Sequence, residues 1–105
     1  MKTYSGQQSG VAGGQRVDLR EGHRITILNP RTDLWNHSPD GFQWGYGGSG
    51  PAQLALALLA DALGNDEEAV RLHQAFKWEH VVRFQRTWSM TDEAIRAWAA
   101  QQEAA

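Results

Sequence analysis

Residues 41–64 read GFQWGYGGSGPAQLALALLADALG. The second half of this stretch decides the fold. From Pro51 to Leu63 it is apolar almost all round, and Gln53 is the one polar residue early in it. Apolar side chains on every side of a 3.6-residue period predict a helix enclosed by protein rather than one lying on a surface. Pro51 suits the first helical position, where a missing N–H costs nothing. Gly64 suits a left-handed C-cap. Leu56, Leu59 and Leu63 are therefore expected in the core.

The first half predicts a strand. Phe42, Trp44 and Tyr46 alternate with Gln43 and Gly45, which places three aromatics on one face. Pro39, Asp40 and Gly41 before it have the composition of a turn, with Gly41 taking a positive φ. Between strand and helix stand Gly47, Gly48 and Gly50, where the chain has to reverse.

Working outward, two further helices follow. Asn65 with Glu68 three residues on forms a variant capping box. Leu72, Phe76 and His80 line one stripe of that helix, while Trp78 and Val82 project from another side. Thr91 caps the last helix, Asp92 and Glu93 suit its positive end, and Met90 is placed to staple to Ile95. Upstream, KTYSG is a short strand and QQSGVAGGQ a loop. RVDLR (16–20) and HRITILNP (23–30) alternate as a hairpin turning at Glu21-Gly22, with Val17 and Leu19 on one face and Ile25 and Ile27 on one face. The expected fold is α+β: a small, mainly antiparallel N-terminal sheet packed on three C-terminal helices. It forms one domain over 1–105, β-rich over 1–46 and helical over 51–103.

Composition narrows the function. The net charge of −2 provides no general field for nucleic acid. Arg16 and Arg20 share a strand face with Asp18 between them, which blunts any basic stripe, so nucleic acid is disfavoured. The chain has no cysteine, which excludes disulfides and thiolate metal sites and fits a reducing compartment. The segment MKTYSGQQSG lacks a signal peptide's apolar core, and no apolar run is long enough to span a bilayer. A cytoplasmic protein without membrane contact is expected.

The stretch HSPDGFQWGYGGSGPAQLALALLADALG, with the later LHQAFKWEHVV and TWSMTDEAI, resembles an uncharacterised family of short bacterial, phage and plasmid proteins. The pattern falls on His37, Ser38, Pro39, Gly41, Phe42, Trp44, Gly45, Tyr46, Gly47, Gly48, Ser49, Gly50, Pro51, Gln53, Leu54 and Ala55, and the likeness covers 36–98. The resemblance implies a mobile-element context but brings no activity, cofactor or catalytic residue. By association it favours a small binding protein that disables a host or defence complex.

The glycine knot has competing readings. Gly45 to Gly50 has P-loop spacing, but Pro51 stands where lysine is required. A looser anion site remains: Gly47, Gly48, Ser49, Gly50, Gln53 and His37 are the candidate ligand-binding residues for a phosphate or nucleotide at the helix N-terminus. A nucleophile elbow fails at the same proline, which leaves a small hydrolase as the third reading. His23, His37, His73 and His80 form no ligand motif, so no metal and no cofactor is expected. As a hinge, the knot needs only the freedom of glycine, with Gln53 bonding back to loop N–H groups.

Five tryptophans, Trp35, Trp44, Trp78, Trp88 and Trp98, serve either as core filling or as partner anchors. Trp78, off the core stripe, is the candidate anchor for an unidentified protein partner, with Val82, Lys77 and Arg83 around it.

Overall fold

The apolar run forms the central helix. The computed structural model describes residues 1–9 and 14–104. Helices α1 (Ser49–Leu63), α2 (Asp66–Glu79) and α3 (Asp92–Ala104) pack on a sheet of strands β1 (Lys2–Gln7), β2 (Val17–Glu21), β3 (Arg24–Ile27) and β4 (Thr87–Thr91). The strand order is β3-β2-β1-β4 and every pairing is antiparallel. This is the expected α+β architecture.

Helix α1 is buried on all sides from Gly50 to Ala60, with Leu54, Leu56, Leu58 and Leu59 fully enclosed. It packs against α2 and α3. Leu63 is only partly buried, at the rim of the core. Gly48 is the N-cap, so Pro51 sits at the third helical position, still within the turn whose N–H groups have no intrahelical partner. Gly64 ends the helix at φ +62, its N–H bonding to Ala60 O. Asn65 caps α2 by accepting from Glu68 N, and Thr91 Oγ1 accepts from Ala94 N in the first turn of α3.

Register fixes which sheet face meets the helices. Tyr4 pairs with Leu19 on one side and Met90 on the other, and Gly6 pairs with Val17 and Trp88. These rows bury Tyr4, Val17 and Trp88 and half-bury Leu19 and Met90. The Tyr4 hydroxyl donates to Asp61 of α1 at 2.6 Å, tying sheet to helix.

Ile25 and Ile27 share a face as expected, and it is the outer one: they lie opposite Arg20 and Asp18, and both are exposed on an edge strand. Other expectations need correction. The hairpin turn falls at Gly22-His23, not Glu21-Gly22, with Gly22 at φ +62 in the first central position. Nor is Phe42–Tyr46 a strand. Phe42 makes one isolated bridge to Gln15, Gly45 turns the backbone at φ +87, and Tyr46 faces solvent while Phe42 and Trp44 are buried. The fourth strand comes instead from TWSMT, between α2 and α3, so the helical part is interrupted by β4. Finally, α2 stops at Glu79, and Val81–Arg83 forms a 3₁₀ turn, so Val82 is not on the same helix as Trp78. The QQSGVAGGQ loop lies partly outside the described residues.

Because α1 has protein on every side, its leucines have no route to collapse or to solvent. Leu59→Ala is expected to cost about 2–5 kcal/mol, read as a lower urea midpoint. An unchanged midpoint would remove α1 from the core.

Candidate functional site

The long connection between β3 and α1 is held down by a buried amide. Gln53, fully enclosed on the first turns of α1, accepts from His37 N at 2.8 Å and Ser38 N at 3.1 Å, and its Nε2 donates to Pro30 O at 2.6 Å. The sequence pointed to Gln53 bonding to loop N–H groups; the groups it holds are at 37 and 38 rather than in the glycine knot. A second tie is Arg31, whose guanidinium bridges Asp33 and Asp66 at the start of α2.

So pinned, the connection brings His37 against α2. His37 Nε2 lies 3.0 Å from His73 Nε2. His73 Nδ1 lies 2.6 Å from Val70 O, and a carbonyl can only accept, so Nδ1 carries the hydrogen. In the neutral ring Nε2 is then the acceptor, and His37 donates to it. Trp35 stacks on His37 at 4.8 Å between centroids with 11° between planes, and remains 51% exposed. Burial holds both imidazoles below their usual range. His73 and Lys77 add to this at His37; at His73, Lys77 adds to it and the Val70 bond opposes it.

One turn on from His73 lies Lys77, buried to 7% exposure, with its Nζ 4.5 Å from the centre of the Trp78 ring. Trp78 is 58% exposed. Its inner side rests on the glycine knot: a Cβ on Gly47 would stand 2.4 Å from the ring. Tyr46, 52% exposed, covers Gly48 in the same way, where a Cβ would lie 2.5 Å from its ring. The knot is thus a floor on which two exposed aromatics lie. Trp35, His37, His73, Lys77, Trp78 and Tyr46 follow one another as a strip joining the β3–α1 connection, α2 and the knot.

The other tryptophans divide as the sequence allowed. Trp44, Trp88 and Trp98 are buried, and their indole N–H groups find no acceptor among the described residues. Of the candidate partner residues, Lys77 and Trp78 come together; Arg83 is exposed on the 3₁₀ turn and Val82 is half-buried there. Of the candidate ligand residues, Ser49 and Gly50 open onto a cleft of about 380 Å³ with Ser38, Asp40, Gln43 and Tyr46. Gly47 and Gly48 are overlain by rings, Gln53 is enclosed, and the His37 ring engages His73 rather than Ser49. No group of three or more metal-ligating side chains occurs among the described residues. Sequence reasoning weighed Trp35 as an anchor and His73 as a metal ligand but missed that both meet His37, since nothing local couples position 37 to position 73.

Residues 4–101 match the profile of a family of unknown function, DUF6166. The chain belongs to the DUF6166 family. That match takes in the whole strip and reaches further toward the N-terminus than the resemblance over 36–98. No curated protein and no solved structure shows significant similarity to this DUF6166 chain. Among the described residues no helix is long and apolar enough to cross a membrane.

The neutral histidine pair makes stability depend on pH. The folded chain holds His37, His73 and also His80, lowered chiefly by its own burial, below the unfolded imidazole value. The unfolded state therefore binds more protons once pH drops below about 6.5. Stability is fully present above that value and is lost as pH falls. The urea midpoint is expected to decline from about pH 7.5 to about pH 5.5, and His37→Gln/His73→Gln to flatten the decline. An equally steep decline in the double variant would remove the pair as its source.

Proposed function

We propose that this DUF6166 chain is a non-enzymatic binding protein whose partner face is centred on Trp78 and the strip around it. The observation that carries this reading is the seat of Trp78. A large ring is laid half-open on a glycine floor, with the ammonium of Lys77 over it. Tryptophan in such a position is the residue type most enriched among binding hot spots. A tryptophan left exposed also forgoes the burial that Trp44, Trp88 and Trp98 obtain. Trp35 and Tyr46 extend the apolar area, and Glu79 and Arg83 supply a charged rim, as interfaces commonly have. The biological setting we propose, a cytoplasmic antagonist of a host or defence complex carried by a phage or other mobile element, rests on the sequence resemblance alone.

A second reading takes the cleft beside the α1 N-terminus as a small-ligand or nucleotide site. Ser49 and Gly50 line it, and they are two of the residues the sequence nominated. The Asp40 carboxylate in the same cleft works against a phosphate there.

The two readings separate on the same proteins. Affinity purification of the wild-type chain from a bacterial host, with mass spectrometry of bound proteins and nucleotides, identifies what it holds. Trp78→Ala is expected to abolish protein capture while unfolding stays cooperative, and Gly47→Ala, which forces the ring off its floor, to weaken capture as well. A large fall in urea midpoint with Trp78→Ala would sink the anchor reading. Saturable thermal stabilisation by a nucleotide would favour the cleft.

A further inference from the structure

The solvent face of the sheet is polar except along one edge. Cross-strand rows on that face run Ile25–Arg20–Thr3–Thr91 and Ile27–Asp18–Ser5–Ser89. Ile25 and Ile27 are 55% and 62% exposed, on a strand whose residues are all open to solvent. An uncovered face of an antiparallel sheet ordinarily carries polar side chains throughout. The backbone of β3 is open as well. Leu28 N donates to Val17 O at 2.9 Å, which makes Val17 and Leu28 a hydrogen-bonded pair at the end of the β2–β3 ladder. Such pairs alternate along an antiparallel ladder, so Leu19–Thr26 and Glu21–Arg24 continue the series. Ile25 and Ile27 stand between them and direct their N–H and C=O groups away from β2. Strand β3 is the edge of the sheet, so no described strand takes those groups. Its register with β2 runs without a bulge, and Arg24–Ile27 has neither lysine nor proline, devices that keep open edges apart.

We infer that β3 pairs with β3 of a second copy of this chain, antiparallel about a two-fold axis through Thr26. The pattern of the strand selects this register. Centred on Thr26, Ile25 lies opposite Ile27 of the second copy and Ile27 opposite its Ile25, and each pair exchanges both backbone bonds. Centred on Ile25, the strand would set Ile27 against His23; centred on Ile27, it would set Ile25 against Asn29. The Thr26 register alone joins the isoleucines of both copies into one apolar cluster, and cross-strand pairs of this kind stabilise sheets. Charge agrees with it. Each row across the seam runs Arg20, Ile25, Ile27, Asp18, with opposite charges at its ends, and Arg24 meets Leu28 rather than another charge. A foreign strand would have to supply this match, whereas a second copy carries it. A net charge of −2 sets little repulsion against self-association. The strand contributes 4 residues to the seam, against roughly 20–30 a side in a stable interface, so the dimer is reversible and forms at high protein concentration. No residue of the Trp78 strip lies in β3, so this surface stands apart from the partner face proposed above.

Sedimentation velocity of the wild-type chain from micromolar to millimolar concentration reads the association. The average mass is expected to rise from that of one chain toward that of two. Ile25→Thr/Ile27→Thr should weaken association about tenfold or more, with the urea midpoint little changed because both side chains are exposed. Thr26→Cys tests the register. The chain has no other cysteine. Across the axis position 26 forms a non-hydrogen-bonded pair, whose β-carbons approach to about 4.5–5.5 Å, close to disulfide reach. Oxidised glutathione is expected to link Thr26→Cys into a covalent dimer much faster than Ile25→Cys. A monomer at every concentration would overturn the inference. So would association that the isoleucine changes leave intact, or that Trp78→Ala abolishes in their place, which would move the seam to the strip. Equal linking at positions 25 and 26 would reject the two-fold register. The linking experiment decides the matter even if the isoleucine variant fails to fold.

Discussion

The three hydrogen bonds of the Gln53 amide hold the candidate site together. Helix α1 is enclosed on every side, so a polar group on it must find its partners within the protein or pay for going without. Gln53 uses its carbonyl oxygen for two backbone N–H groups and its nitrogen for one backbone carbonyl. The connection from β3 to α1 is thereby fastened to the buried central helix. His37 follows from that fastening, because its own backbone N–H is one of the groups held. Once His37 is placed, His73 has a donor for Nε2 and Trp35 has a ring to cover.

The glycine knot serves packing on its outer side as well as chain reversal. Gly45 takes the positive φ that ends the extended run, and its N–H bonds to Val81 O on the 3₁₀ turn. Gly47 and Gly48 need to be small for a different reason: the rings of Trp78 and Tyr46 occupy the space a side chain would fill. A sequence rich in glycine between an aromatic run and a helix thus encodes a surface, with Tyr46 and Trp78 on the outside. That arrangement places exposed apolar area on a well-packed base, which lowers the ordering cost this surface would pay on binding.

Much of the scaffold was legible. The length and apolarity of 51–63 left little choice but an enclosed helix, and Gly64, Asn65 and Thr91 marked ends that the hydrogen bonds match. The angle of Trp78 to Leu72 and Phe76 set it off the core stripe but left open whether the last helix covers it; it is exposed. Strand β4 was missed although its signal is present. Thr87, Ser89 and Thr91 alternate with Trp88 and Met90, but helix-entry residues directly after it drew the reading toward a cap. Phe42–Tyr46 misled in the opposite sense, because alternation of side chains cannot reveal that Gly45 leaves the extended conformation. The meeting of His37 with His73 is a product of tertiary folding, set by Gln53 reaching across 15 and 16 residues to the backbone donors it accepts from. No local pattern carries that information.

Native-state amide hydrogen exchange at His37 and Ser38 tests this dependence most directly. Both residues lie in an irregular connection, where amides ordinarily exchange through small local openings. If the Gln53 amide organises the site, both are protected nearly as strongly as the α1 interior, and both lose that protection selectively in Gln53→Leu while the α1 amides keep theirs. Rapid exchange of His37 and Ser38 in the wild-type protein would contradict the account.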